Sequence, residues 1–68
     1  MTEQRSGTVA EFDVHIGLGV VRGDDGRSWP FHCTAIADGS RRIETGTRVL
    51  YRVTPGLGRW EAWELRPR

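Results

Sequence analysis

The sequence predicts a small all-β protein of five short strands closed into a barrel, and three observations carry that expectation. Turn-forming Gly, Asp and Pro residues recur at the roughly 8–12-residue spacing of short-stranded β domains. The runs between them are β-prone, and Thr47 to Thr54 alternates cleanly, with Val49, Tyr51 and Val53 on one face and Leu50 and Arg52 on the other. No helical period, internal repeat or low-complexity tract competes with that pattern. Closure into a barrel would also remove the exposed strand edges that a chain of 68 residues otherwise leaves.

Residues 1–6 are polar and read as a flexible N-terminal tail, with a single domain over residues 7–66. The first strand runs from Thr8 to Asp13, and Val14-His15-Ile16 connects it to a second over Leu18 to Arg22. Gly17 and Gly19 lie beside or inside that second strand, where glycine permits bending or close backbone approach. Gly23-Asp24-Asp25-Gly26 is a strong hairpin turn, because Asp-Gly supplies positive φ angles readily. The third strand spans Ser28 to Cys33; Pro30 deletes an amide donor there and belongs on an edge or at a bulge. Thr34 to Ala37 is long enough for a single helical turn only, and Asp38 to Arg42 is a polar loop. After the fourth strand, Pro55-Gly56-Leu57-Gly58 turns the chain into a last strand over Trp60 to Leu65. The expected interior is Val9, Val21, Trp29, Phe31, Ile36, Ile43, Val49, Tyr51, Val53 and Leu65.

Length limits the chain to one domain, and folding at this size buries only about 60% of the surface of the unfolded chain. With the single cysteine Cys33, no internal disulfide can add to that modest core. A lone thiol, a polar N-terminus and the lack of any apolar run long enough for a membrane span or signal core point to a soluble, cytoplasmic protein. The formal net charge is +1, yet all ten basic residues are arginine and none is lysine. Codon usage in a GC-rich genome is the plain explanation. The functional one is that guanidinium suits phosphates and aromatic planes better than ammonium does. Near-neutrality argues against a protein held to nucleic acid mainly by phosphate electrostatics, which scale with the cations engaged.

Several of these segments together resemble a cold-shock domain. The residues concerned are Gly7-Thr8-Val9 with Phe12, then Ile16-Gly17-Leu18-Gly19-Val20-Val21, then Trp29-Pro30-Phe31-His32-Cys33-Thr34-Ala35-Ile36, and finally Ile43-Glu44-Thr45-Gly46-Thr47-Arg48-Val49. They match the family's Gly-x-Val, Lys-Gly-Phe-Gly-Phe-Ile, Val-Phe-Val-His-Phe, Ser-Ala-Ile and Leu-x-x-Gly-x-x-Val segments at nearly constant spacing from residue 7 to about 66. The resemblance implies a five-stranded OB-type Greek-key barrel that binds single-stranded RNA or DNA. It implies a stacking platform at Glu11, Leu18, Val20, Pro30, His32, Cys33 and Ser40. Of these only His32 is the family's residue; Phe12, beside the platform, is also kept. The basic residue that opens the second-strand motif is replaced by Ile16. Each base–aromatic stack is worth about 1–3 kcal/mol, so these replacements imply weak binding.

On that reading Phe12 and His32 stack, Leu18, Val20 and Pro30 offer aliphatic contact, and Arg22, Arg27, Arg41 and Arg42 meet phosphates. For any single arginine, Arg59 included, ordinary solvated surface is the simpler account. Val14, Ile16, Leu18, Val20, Pro30 and Cys33 would form an exposed apolar face, unless the register slips by one residue and turns them inward. Such a face is the mark of a protein contact, so the competing function is a protein-interaction or self-association module acting through Ile16, Leu18, Val20, Pro30 and Cys33. Trp60 and Trp63 stand where the family has small or polar residues. They are either core or rim packing or, with Arg59 or Arg52 beside one of them, a relocated stacking platform. His15, His32 and Cys33 fit no zinc spacing and lack a fourth ligand, so no metal or other cofactor is expected. No nucleophile–base pair, paired carboxylates or phosphate-cradling loop appears, and Gly17-x-Gly19 is too short for a dinucleotide fingerprint. The chain is not expected to be an enzyme.

Overall fold

The computed structural model describes residues 3–56 and 58–68. Strands β1 (Arg5–Asp13), β2 (Leu18–Gly23), β3 (Ser28–His32), β4 (Arg48–Pro55) and β5 (Trp60–Pro67) form one sheet in the order β3-β2-β1-β4-β5. The four ladders that join these strands are antiparallel. Read from β4, the order 4-1-2-3 is that of a Greek key, with the long return made by residues 33–47. A short 3-10 turn, Cys33–Ala35, opens that return, within the segment expected to make a single helical turn. The chain is therefore all-β with the connectivity of a small OB-type barrel.

Closure is incomplete. β3 and β5 approach each other across a seam, yet no ladder joins them, and Pro30 sits on the edge strand β3 as its missing amide requires. The seam is bridged instead by Ile36 pairing in parallel with Leu65 and by the Ala37 amide donating to the Leu65 carbonyl at 2.7 Å. The full removal of edges expected from the sequence does not occur.

Strand limits differ from the expectation at both chain ends, for a common reason. β1 begins at Arg5 rather than after residue 6, because Arg5 and Ser6 pair with Tyr51 and Leu50. Ser6 is tied further: its carbonyl accepts the Asp24 amide at 3.0 Å and its hydroxyl oxygen accepts from Arg68 Nη1 at 2.6 Å. β5 likewise continues to Pro67, with Arg66 opposite Leu50, and the Arg68 amide donates to the Arg48 carbonyl. The expected turn over residues 55–58 includes Leu57, which lies outside the described residues.

The core is Val9, Val21, Phe31, Ala35, Ile36, Val49, Tyr51, Val53, Ala62 and Leu65. Burying each of its larger aliphatic or aromatic side chains is worth about 1.5–3 kcal/mol, which is how a sheet without disulfides holds together. Trp29 and Ile43, expected inside, are half-buried and pack on its margin. Trp29 faces the open seam, and Ile43 belongs to the loop beside Phe12. Their places are taken by Ala35 and Ala62, too small to register as core from hydropathy alone. No helix of the described residues is long and apolar enough to cross a membrane.

Candidate nucleic-acid interface

The register of β1, β2 and β3 settles which side chains share the outer face. Across the three strands the outward positions form rows: Asp13, Leu18 and His32; Glu11, Val20 and Pro30; Thr8, Arg22 and Ser28. Between them Gly19, Val21 and Phe31 turn inward and are buried. Leu18 and Val20 therefore point away from the interior, and the one-residue slip does not arise. A bulge in β1 between Val9 and Glu11 sets this phase, since the extra residue Ala10 brings Glu11, not Ala10, opposite Val20.

Phe12 marks the mouth of the barrel. It stands opposite Gly19, and its ring stacks on Phe31 with centroids 5.8 Å apart and planes inclined by 9°. One side of Phe12 opens to a hollow of about 400 Å³ that also contains Ile16, Leu18, Val20, Pro30 and Arg59. Its other side opens to a second hollow, of about 610 Å³, bordered by Val14, Ile43 and Arg42. The turn beneath is held by Asp13, whose Oδ1 accepts the His15 amide at 2.9 Å while its carbonyl accepts the Gly17 amide at 2.8 Å. Cys33 is anchored to the same turn through its amide and the Gly17 carbonyl. Its sulfur lies against Gly17, at the side of the apolar face.

The fold thus gathers Phe12, Leu18, Val20 and Pro30 around one hollow, with His32 opposite Leu18 and Arg22 at the far end of the β2 row. Arg42 stands at the other side of Phe12. Arg27 belongs elsewhere, in the seam cleft that Trp29 also borders, and Arg41 has a φ of 63° in the exposed 38–46 loop. Arg59, at the rim of the hollow, is a cation that the strand pattern alone did not bring to this face. His32 is exposed, with Nε2 3.9 Å from Glu61 Oε1 across the seam, a pair that attracts only when the imidazole is protonated. The carboxylates of Glu11 and Asp13 border the face on the β1 side.

The tryptophans depart most from expectation. Trp60 and Trp63 are neither core nor covered rim, at 55% and 41% exposure. Trp63 stands opposite Arg52, whose Nε donates to Glu64 at 3.1 Å. Trp60 shares a seam cleft with Trp29, Val53, Arg5 and Arg27 rather than with Arg59 or Arg52.

Among the described residues three ionisable groups are displaced from their ordinary behaviour. Asp24 is held below the usual carboxylate range chiefly by its hydrogen bonds from Arg48, at 3.1 and 3.2 Å. Asp38 is lowered by the Ser40 amide that it accepts at 2.9 Å. Tyr51 is raised above 10, first by burial and then by the Asp25 charge. The Trp29 indole opposes that rise, although its buried Nε1 finds no acceptor in hydrogen-bond geometry among the described residues. Among the described residues no group of three or more His, Cys, Asp or Glu is placed to hold a metal ion.

No protein-family model matches the chain, and no curated protein matches it.

Proposed function

We propose that this protein is a single-domain β-barrel module that binds single-stranded RNA or DNA, weakly and with little sequence preference, through the outer face of β1–β3. The observation that carries the reading is the side-by-side placement of Leu18, Val20, Pro30 and His32 on one exposed surface, with Phe12 and Arg59 around the same hollow. Leu18, Val20, Pro30 and His32 are among the positions at which the cold-shock resemblance implies base contact, and Phe12 lies beside them. Aliphatic and prolyl surfaces take a base face by contact alone, so each site contributes less than an aromatic stack would. Arg22, Arg42 and Arg59 supply the phosphate contacts at the ends of the face, while Glu11 and Asp13 oppose them.

Titration of a labelled single-stranded oligonucleotide at low salt tests the reading. Saturable binding in the micromolar range, weakened in Val20→Glu and His32→Ala, supports it; no binding at high micromolar protein removes it.

A second reading rests on the exposure of Ile16, at 66%, and of Val14, at 46%, next to Leu18. An aliphatic patch of this kind favours a protein partner or a second copy of the chain over a base. Light scattering on the wild type and Val20→Glu separates the two, since only self-association raises the mass and loses it on substitution.

A further inference from the structure

The unclosed seam leaves a cleft that the outer face does not use. It holds about 390 Å³ and is bordered by Arg5, Arg27, Trp29, Val53 and Trp60. That volume falls within the roughly 300–1,000 Å³ of small-molecule sites. Its aromatic and cationic groups are not equivalent. Trp29 is half-buried, and the Arg5 guanidinium lies over its ring, 5.5 Å from the centroid. Arg5 is also engaged by Asp25, at 3.9 Å. Trp60 is the open aromatic surface, and Arg27 is the open cation: its backbone amide donates to Asp25 Oδ1, but its guanidinium has no ion-pair partner among the described residues.

An exposed indole beside an unpaired guanidinium, floored by a second indole and an aliphatic side chain, matches a planar ring that carries an adjacent negative charge. We propose that this cleft binds one nucleotide unit of a single-stranded nucleic acid, with the base stacked on Trp60 and the neighbouring phosphate against Arg27. The inference rests on the single-strand reading above and adds a second contact point to it, on the other side of β3 from Leu18 and Val20. Stacking is tolerant of base identity because every base has a π-face, so this contact adds affinity without sequence preference.

The test follows the indole N–H signals of the protein by NMR while a labelled oligothymidylate is added, alongside anisotropy titrations of variants. The expected result is a shift of the Trp60 indole signal and a loss of affinity of about 5- to 150-fold in Trp60→Ala. Trp60→Phe should retain most of the affinity, and Arg27→Gln should reduce the log–log salt slope by about 0.7. Because Trp60 is exposed, its replacement should leave the fold intact; if Trp60→Ala unfolds, Trp60→Phe and Arg27→Gln carry the decision. Wild-type affinity in Trp60→Ala, or an equal indole shift on adding polyglutamate of matched charge, overturns the proposal. An equal shift with thymidine monophosphate at the same concentration overturns the strand as occupant in favour of a free nucleotide. Val20→Glu keeps the two sites apart. If it binds as wild type while Trp60→Ala does not, the outer face fails and the cleft stands; the reverse pattern overturns the cleft alone.

Discussion

Gly19 on β2 and Phe31 on β3 occupy one space: a Cβ built on Gly19 would lie 2.6 Å from Phe31 Cζ and 2.7 Å from the Glu11 carbonyl oxygen. The absent side chain lets the Phe31 ring lie across the strand and stack on Phe12, so this glycine joins the core to the mouth of the barrel.

Gly19→Ala should accordingly destabilise the fold by about 1–3 kcal/mol, the usual cost of overpacking a dense site. For a domain this small each kcal/mol lowers Tm by roughly 4–8 °C. Gly26→Ala is the comparison. Gly26 has a φ of 89° in the β2–β3 turn and nothing within 4 Å of its added Cβ, so its cost is conformational alone, about 1–2 kcal/mol. Urea unfolding that shows Gly19→Ala as stable as the wild type would mean that the ring swings away freely and that the Phe12–Phe31 stack is not held by this contact.

Acid sensitivity should depend on Arg48. Its guanidinium reaches both carboxylate oxygens of Asp24 and, at 3.2 Å, the hydroxyl of Thr8, tying β4 to the β2–β3 turn and to β1. Asp24 is lowered below 3.8 in the folded state, so its contribution is present above the unfolded value and is lost as pH falls through the folded one. Arg48→Gln should be less stable than the wild type near neutrality, and the gap should narrow as pH is taken below 3.8. A gap that stays constant to pH 2 in urea titrations would show that the loss comes from packing or from Thr8 rather than from the carboxylate.

Restoring aromatic rings on the outer face should strengthen oligonucleotide binding. Leu18 is on the surface and Val20 is half-buried, two residues apart on the outer face of β2, so phenylalanine can be accommodated at both with little effect on the core. At about 1–3 kcal/mol per base stack, Leu18→Phe with Val20→Phe should tighten binding at least tenfold in anisotropy titrations. Unchanged affinity accompanied by a rise in mass would favour the protein-interaction reading instead.

Much of the fold and of this face could be read from residue order, because period two and the turn residues are local signals. Val49, Tyr51 and Val53 alternate into the core as their spacing requires. Gly17-x-Gly19 with His32 fixed the register that turns Leu18 and Val20 outward. What local signals lack is knowledge of the seam. Trp29 is in phase with Phe31 and so reads as core, yet it sits on an edge strand whose neighbour never pairs. For the same reason the meeting of Trp60, Arg27 and Arg5, which come from both chain ends and from the β2–β3 turn, left no trace in the sequence.

Glu64 is the clearest case of a backbone state hidden from sequence. Its φ of 52° places a non-glycine residue in the left-handed region, at the point where the β4–β5 register shifts. That shift lets Trp63 and Glu64 both face solvent while Leu65 returns to the core. The conformation costs about 1–3 kcal/mol and is held by the ladder on either side of it. The half-exposed ion pair with Arg52 returns at most about 1 kcal/mol. Glu64→Gly should therefore be as stable as the wild type to within about 1 kcal/mol, as relief of the dihedral offsets the lost pair. Glu64→Val should be the least stable of the series, because a β-branched side chain tolerates positive φ worst. Urea unfolding of the three proteins checks the order, and a Glu64→Val variant more stable than Glu64→Gly would show that β5 abandons the bulge and re-registers against β4.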